Sequence, residues 1–185
     1  MEKLLNKAKD IKIIFFDIDD TLRVKDTGFI PASLTHIFEI LHQKGILTGI
    51  ATGRNLCGVV PEIKALHPDF FVTANGAYVI DKSDQVIYKQ SLPQKVVLDI
   101  VEWLTTSSAE YVVYGADQVV ASAWSDTMQS AIEPIYGQLP IDPDYHLTHD
   151  IYQMVTMSEH DDQLTLPEKL SESVRMVRWH EHSSD

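Results

Sequence analysis

Residues 11–21 read IKIIFFDIDDT, and this stretch decides the fold. Its first six residues form an apolar run that is interrupted only by Lys12. A continuous apolar run of this length is typical of a strand buried on both faces, as in a parallel sheet. Three carboxylates follow within four positions, at Asp17, Asp19 and Asp20. The sequence therefore predicts an acidic cluster at the carboxyl end of a buried strand.

The acidic cluster needs a compensating partner. Crowded carboxylates raise one another's pKa and destabilise a site unless something neutralises them. A hard cation is the natural compensator, because Mg²⁺ prefers oxygen ligands. The alternative is an acidic turn that caps a helix, which the position directly after a buried strand disfavours. The cluster therefore predicts Mg²⁺ as a cofactor.

The segments that follow repeat the same pattern. Strands are predicted at residues 46–51 and 70–73, and helices at residues 32–44 and 55–66, the second with a kink or break possible at Pro61. Strands that alternate with helices indicate a doubly wound α/β fold with a parallel sheet. Right-handed crossovers place the carboxyl ends of these strands on one edge of the sheet, where ligands bind in such folds. We therefore expect the turns after the three strands to lie close together.

The turns after the second and third strands carry the other candidate residues. Thr52 and Gly53 stand where a strand is predicted to open into a helix, so they can form an anion site or a simple helix cap. Arg54 can contact a substrate or pair with an acidic neighbour, and both interpretations stay open. Asn75 can reach the site or serve only a structural turn.

The second half of the chain is predicted to form a small sheet of its own. A hairpin is expected over residues 77–90, with its turn near residues 82–84. Helices are then predicted at 94–106, 126–136 and 160–171, and strands within 111–123, 151–157 and 174–182.

Composition excludes several classes of partner. The formal charge is −12 and the pI is about 4.9, so neither nucleic acid nor an anionic membrane is an expected partner. Cys57 is the single cysteine, which rules out an internal disulfide and suits a reducing cytoplasm. The first twenty residues contain no long apolar stretch, so we expect neither a signal peptide nor a membrane span there.

Four segments together resemble a known family. FFDIDDTL at 15–22 is similar to the first motif of the haloacid dehalogenase-like hydrolase superfamily. ATGR at 51–54 and ANGA at 74–77 resemble motifs of its Cof-type sugar phosphatase branch, and RWHEHSSD at 178–185 resembles the last strand of the cap in that branch. The resemblance implies a Rossmann-like catalytic core at residues 1–84 and an inserted α/β cap domain at residues 85–182.

The resemblance also implies a function and a role for each matched residue. The expected activity is Mg²⁺-dependent hydrolysis of small phosphorylated metabolites, with sugar phosphates as the favoured class. Asp17 would be the nucleophile that forms an aspartyl-phosphate, and Asp19 the general acid and base. The metal would be held by the Asp17 carboxylate and the backbone carbonyl of Asp19. The substrate- and phosphate-binding positions would be Ile18, Thr52, Gly53, Arg54 and Asn75.

The chain departs from the family pattern after the cap. The family places a phosphate-binding lysine and an acidic Gly-Asp-Gly segment on later core strands, and no Gly-Asp-Gly segment occurs before the chain ends at Asp185. We therefore expect an incomplete core sheet, weak metal binding and an exposed edge that favours a homo-oligomer. The alternative function is a catalytically incomplete remnant that acts only as a binding or self-associating module.

Overall fold

The chain divides into two units, Met1–Lys89 and Gln90–Asp185. The computed structural model describes residues 10–159, 163–180 and 182–185. Each unit is built on a five-stranded sheet of its own. The predicted α/β class is confirmed, whereas the assignment of core and cap to particular residue ranges stays a prediction.

The first sheet joins parallel strands to a hairpin. Its strands run in the order β1-β2-β3-β4-β5, of which the first three are parallel and the last two antiparallel. The carboxyl ends of β1, β2 and β3 therefore meet at one edge, as predicted. The strands are β1 (Ile13–Phe16), β2 (Leu47–Ala51), β3 (Phe70–Thr73), β4 (Tyr78–Asp81) and β5 (Val86–Lys89), and the helices are α1 (Ser33–Gln43) and α2 (Pro61–Lys64).

The helices of this unit cover one face of the sheet. Phe38 of α1 and Ile63 of α2 share a buried cluster with Ile50 and Phe71 of the sheet. On the opposite face Phe15 is 48% exposed. The prediction that β1 is buried on both faces is therefore wrong, because β1 is an edge strand and the described helices pack on one side only.

The segment predicted as helical at residues 55–66 is interrupted, and a new helix begins at Pro61, where a kink or break is predicted. It contains a 3₁₀ turn at Leu56–Gly58, followed by the single turn of α2. The Asn55 side chain accepts a hydrogen bond from the Gly58 N–H at 3.1 Å and so closes the 3₁₀ turn. Pro61 cannot donate a backbone hydrogen bond and begins a new helix instead.

The second sheet has the order β7-β6-β8-β10-β9, and all its pairings are antiparallel. Helix α3 packs against Tyr111 and Val113, and helix α4 against Val112 and Tyr114. Because side chains alternate along a strand, the two helices lie on opposite faces.

In the described residues no helix is long and apolar enough to cross a membrane. The elements are α3 (Gln94–Thr106), β6 (Glu110–Tyr114), β7 (Val119–Ala121), α4 (Asp126–Tyr136), β8 (Gln153–Met157), α5 (Glu168–Ser171), β9 (Arg178–His180) and β10 (Ser183–Ser184).

Two predictions for this unit need correction. The helix predicted at 160–171 is reduced to α5; residues 164–167 are not helical, and 160–162 lie outside the described residues. Pro167 explains the late start, since the residue before a proline is disfavoured in helical conformation. The strand predicted at 174–182 is reduced to β9, because residues 174–177 form no strand, and β10 follows beyond the predicted range. Residue 181, between the two strands, is also outside the described residues.

A buried carboxylate fastens the first sheet at the amino ends of β2 and β3. Asp69 accepts hydrogen bonds from the Thr48 N–H at 3.0 Å and from Lys82 Nζ at 2.9 Å, and His42 Nε2 lies 3.3 Å from its Oδ2. Burial acts to raise the pKa of Asp69, but these three partners outweigh it and hold that pKa below its ordinary value. The carboxylate thereby joins α1, β2, β3 and the hairpin turn.

We expect Asp69→Asn to destabilise the first unit by about 2 kcal/mol at pH 7, because hydrogen bonds to a buried charged group are worth roughly 1.5–3 kcal/mol. The stabilisation from a carboxyl with a lowered folded-state pKa is present above the unfolded pKa and is lost as pH falls through the folded value. The difference between the two proteins should therefore shrink on acidification below about pH 4. Native-state hydrogen exchange of β2 and β3 amides measures it.

Asp84→Asn is the matched control for this experiment. Asp84 lies in the adjacent turn with an exposed side chain and a φ of +60°, a conformation that asparagine tolerates. The substitution makes the same change in charge without touching the Asp69 contacts. Equal protection in Asp69→Asn and Asp84→Asn at pH 7 would show that the carboxylate contributes no more than a surface charge.

Candidate active site

The acidic loop after β1 is organised by a buried residue. Ile18 is fully buried, and its carbonyl accepts the N–H groups of Leu22 at 3.0 Å and Arg23 at 2.9 Å. The chain therefore turns back at once, with Asp20 at a φ of +58°. This turn leaves Asp17 at the carboxyl end of β1, with its side chain exposed.

The surroundings of Asp17 disfavour its ionised form. Displacement of water by neighbouring protein atoms raises the pKa of Asp17, and the carboxylates of Asp19 and Asp20 raise it further. The hydrogen bond from the Ile18 backbone and the positive charge of Arg54 lower the same pKa without cancelling the rise. A cation at this position would therefore be favoured, because it compensates the crowded negative charge.

Asp19 is held by an arginine from the second strand's turn. Arg54 Nε donates to Oδ2 of Asp19 at 2.9 Å, and Nη2 donates to Oδ1 at 2.8 Å. The third nitrogen, Nη1, donates to the Gly58 carbonyl at 2.9 Å. Only 8% of the Arg54 side chain is exposed. Bidentate pairs of this kind fix orientation as well as adding energy, so the Asp19 carboxylate has a defined direction.

The turns after β2 and β3 are joined to each other through their backbones. The Asn75 N–H donates to the Thr52 carbonyl at 3.3 Å, and the Ala74 N–H donates to the Arg54 carbonyl at 2.8 Å. Thr52 is buried, and its Oγ1 accepts the Arg54 N–H at 3.2 Å. The two turns therefore form one frame that supports the Arg54 guanidinium.

Gly53 and Asn75 meet within this frame. A Cβ at position 53 would lie 3.0 Å from Oδ1 of Asn75, which is closer than ordinary packing allows. Asn75 itself has a φ of +54°, in the left-handed region that asparagine adopts more readily than most residues. A side chain at position 53 would therefore have to push the Asn75 amide aside by a few tenths of an ångström.

The structure brings most of the predicted residues to one edge of the sheet. Asp19 and Arg54 pair directly, which supports the acidic-neighbour interpretation of Arg54. The Ile18 side chain is buried, so only its backbone can face a substrate. The expected helix start at Thr52 and Gly53 is wrong: residues 52–55 form no helix, and a three-residue 3₁₀ turn follows.

Sequence reasoning missed two partners at this edge. Arg23 Nη1 lies 3.5 Å from Oδ1 of Asp19, and the Gly58 carbonyl anchors Arg54. The only sequence signal for Arg23 is its position four residues after Asp19, a spacing that brings side chains together in a helix. No helix forms there, because a backbone bridge between Asp19 and Arg23 provides the proximity instead.

The donor atoms at this edge fit a magnesium ion only in part. No group of three or more His, Cys, Asp or Glu side chains that could hold a metal is present among the described residues. Mg²⁺ commonly binds through one or two carboxylates and keeps several waters. Asp17 can supply one carboxylate oxygen. The Asp19 carbonyl accepts none of the backbone hydrogen bonds described for this loop, so its oxygen can also face a metal ion. These two groups can therefore serve as protein ligands to the ion.

Comparison with known proteins places these features in a family. The sequence model of the haloacid dehalogenase-like hydrolases matches residues 14–185. A Streptococcus pyogenes protein, provisionally named a bifunctional phosphatase/peptidyl-prolyl cis-trans isomerase, is 47% identical over 183 residues, which are 99% of this chain and 39% of that protein. A Bacillus subtilis protein, provisionally named a phosphatase, is 28% identical, over 95% of this chain and 68% of its own length.

Solved structures show the same fold. A hypothetical protein from Geobacillus kaustophilus is 30% identical with a TM-score of 0.79, over 94% of this chain and 68% of that one. A sugar phosphatase of haloacid dehalogenase subclass IIB is 22% identical with a TM-score of 0.76, over the same shares of the two chains. The chain thus spans about two thirds of these structures, and less than half of the streptococcal relative.

Proposed function

Because the chain belongs to the haloacid dehalogenase-like hydrolase family, we propose that it is a phosphatase that acts through an aspartyl-phosphate on Asp17. The observation that carries the proposal is the fixed pair beside this residue. Asp19, two positions after Asp17, is held by two hydrogen bonds from Arg54, across 35 residues of sequence. A solvated acidic turn would not need so specific a partner.

Asp17 and Asp19 divide the chemistry between them. An Asp17 carboxylate oxygen attacks phosphorus, the new P–O bond forms, and the bond from phosphorus to the leaving oxygen breaks. Asp19 gives a proton to that oxygen and later takes one from the water that hydrolyses the aspartyl-phosphate. The two bonds from Arg54 leave further lone pairs on the Asp19 oxygens, so the carboxyl can exchange this proton while Arg54 holds its orientation. With 30% of its side chain exposed, against 8% for Arg54, Asp19 keeps a side that a ligand can reach.

Mg²⁺ is the cofactor we propose, held by the Asp17 carboxylate and the backbone carbonyl of Asp19. When bound, it would neutralise charge on the transferred phosphoryl group. Burial raises the pKa of Asp17, and the nearby carboxylates of Asp19 and Asp20 raise it further. A bound cation would offset the crowded negative charge of these three side chains, which supports this assignment. The Asp19 side chain is engaged by Arg54, which favours its carbonyl over its carboxylate as the ligand.

The phosphate contacts we propose come from the frame formed by the two turns. The hydroxyl of Thr52 and the backbone N–H of Gly53 are the donors, while Ile18 can contribute only its backbone. Asn75 packs against Gly53 and would define the position of that N–H. Arg54 acts through Asp19, because all three of its nitrogens already have protein partners.

The substrates we propose are small phosphorylated metabolites, with sugar phosphates as the favoured class. Support comes from the similarity of ATGR and ANGA to the Cof-type branch and from the phosphatase names of the relatives. We place the reaction in the cytoplasm, with neither nucleic acid nor membrane as a partner. The net charge of −12 and the single cysteine support this placement.

Exposed apolar side chains favour a second candidate function, self-association by a catalytically incomplete chain. Ile11, Phe15 and Leu47 are each between 42% and 48% exposed, on or beside the edge strand β1. Edge strands with exposed apolar groups pair readily with other chains. Light scattering over a range of concentrations tests this candidate, and a monomer throughout counts against it.

Hydrolysis of p-nitrophenyl phosphate tests the proposed function. The chain should release nitrophenol with Mg²⁺ present, lose that activity in excess chelator and regain it when Mg²⁺ is restored. Asp17→Asn serves as the background protein. Equal rates for the two proteins in saturating Mg²⁺ would reject phosphatase activity for this chain.

A further inference from the structure

Arg23 is a second cation beside Asp19. Its Nη1 lies 3.5 Å from Oδ1 of Asp19 and 3.5 Å from the carbonyl of Lys25. Its backbone is fixed, since the N–H donates to the Ile18 carbonyl at 2.9 Å and the carbonyl accepts the Asp20 N–H at 2.7 Å. Only 18% of the side chain is exposed. The guanidinium therefore has a defined position on the side of Asp19 that faces the following loop.

The two arginines at Asp19 differ in how their donors are used. A guanidinium carries five N–H donors on three nitrogens. Arg54 engages all three nitrogens in contacts of 2.8–2.9 Å. Arg23 engages only Nη1, at 3.5 Å, and within the described ranges its Nε and Nη2 have no hydrogen-bond partner. Arg23 thus keeps donors that a ligand beside Asp19 can use.

Gly28 helps to keep the Arg23 guanidinium in place. The loop closes with a hydrogen bond of 2.8 Å from the Gly28 N–H to the Val24 carbonyl. Gly28 has a φ of +69°, and a Cβ there would lie 3.1 Å from Nη2 of Arg23. A larger residue would therefore strain the turn and crowd the guanidinium.

We propose that Arg23 is a specificity-determining residue that binds a second anionic group, a carboxylate or a phosphate, on the leaving group of the substrate. The inference rests on the proposed function, in which Asp19 protonates the leaving oxygen. A residue that adjoins Asp19 then lies beside the leaving group. The substrate class is a phosphate monoester whose alcohol part carries a further negative charge.

Charge and shape both support this role. A chain with a net charge of −12 repels a substrate with two anionic groups unless a local cation receives each of them. Arg54 is committed to Asp19, whereas Arg23 has free donors. The planar fork of a guanidinium matches a carboxylate or a phosphate with two parallel hydrogen bonds, which a lysine cannot reproduce.

Matched substrates test the proposal. Phosphoglycolate and 2-hydroxyethyl phosphate differ by a carboxylate in place of a hydroxymethyl group, and ethane-1,2-diol bisphosphate places a phosphate there instead. The measured quantity is the ratio of kcat/KM for each charged ester to that for the neutral one. In Arg23→Gln we expect this ratio to fall about 10- to 100-fold, which is the range for a hydrogen bond between charged groups. Most of the change should appear in KM. Which charged ester loses more identifies the preferred anion.

Two further variants separate local contact from general charge. Lys25→Gln removes one positive charge from an exposed side chain of the same loop and should leave the ratio unchanged. Arg23→Lys should keep part of the preference, because it retains a single point charge. A fall of the same size in Lys25→Gln and Arg23→Gln would overturn the proposal, as would an unchanged ratio in Arg23→Gln.

A binding measurement keeps this inference distinct from the proposed function. Calorimetry on Asp17→Asn, with and without Arg23→Gln, gives the Kd of the charged and neutral esters without turnover. If no protein hydrolyses any ester but Arg23→Gln still removes the binding preference, Arg23 is supported and phosphatase activity is rejected for this chain. Equal Kd values for charged and neutral esters, or no measurable binding of either, would overturn the assignment of Arg23.

Discussion

Replacement of Asp17 by asparagine is expected to lower kcat by at least about 10⁴-fold, the scale of loss when a covalent nucleophile is removed. The amide oxygen is a poor nucleophile, so the aspartyl-phosphate cannot form. The fold should survive, because the Asp17 side chain is exposed and follows β1 rather than packing beneath it. Steady-state hydrolysis of p-nitrophenyl phosphate in saturating Mg²⁺ measures the loss.

Trapping distinguishes a lost nucleophile from a lost metal ligand. When a reaction with a radiolabelled phosphate ester is quenched with acid, the chain without substitutions should retain label. Hydroxylamine should release this label, because acyl phosphates react with hydroxylamine. Asp17→Asn should retain none.

Asp20→Asn is the matched control for both measurements. It makes the same change in charge in the same loop, and asparagine can still accept the Lys25 N–H that Asp20 receives at 2.9 Å. If Asp20→Asn loses as much activity as Asp17→Asn, the effect comes from loop charge and Asp17 is not the nucleophile.

The fold was predictable where burial leaves a clear trace in the sequence. Parallel strands in this chain are short apolar runs, and helices α3 and α4 were predicted with their observed limits because each has one apolar face. The sequence could not show that one face of β1 is exposed. A strand's own sequence does not reveal which faces the rest of the described chain covers, and Phe15 would suit either environment.

Short elements were harder to predict, because their limits depend on single residues and on distant contacts. Asn55 and Pro61 divide the segment between β2 and β3, although its apolar spacing resembles that of one helix. Strands β9 and β10 contain three and two residues. Elements this short carry too few side chains for periodicity to distinguish a single strand from a hairpin.

The candidate site was predictable in its acidic part and less so in its basic part. Asp17 and Asp19 were indicated by their position after a buried run, a property of adjacent residues. The partner of Asp19 depends on how the turn at 52–54 packs against the turn after β3, which no local pattern encodes. Arg23 was missed because its spacing from Asp19 is informative only within a helix.

Arg54→Met is expected to lower kcat/KM by about 10²–10³-fold if the guanidinium acts by orienting Asp19, an effect below the upper limit of general acid–base catalysis. The variant removes two hydrogen bonds from the Asp19 carboxylate, and the contact that remains to it from the described residues is the one with Arg23 at 3.5 Å. Arg54→Lys should recover little, because one ammonium group cannot reach both Asp19 oxygens and the Gly58 carbonyl together.

The loss of activity in Arg54→Met could also come from a less stable fold instead of a misoriented Asp19. Arg54 is buried, and its removal leaves the Gly58 carbonyl without the donor described above. That loss costs stability on the order of 1–3 kcal/mol, so the assays belong well below the unfolding temperature of each variant. The double variant with Asp19→Asn then decides between the two explanations. If Arg54 acts through Asp19, adding Arg54→Met to Asp19→Asn should lower activity by less than about threefold, because the group it orients is already gone. Multiplicative losses would instead mean that Arg54 acts independently of Asp19, either through the stability of the turn or through a contact of its own with the substrate.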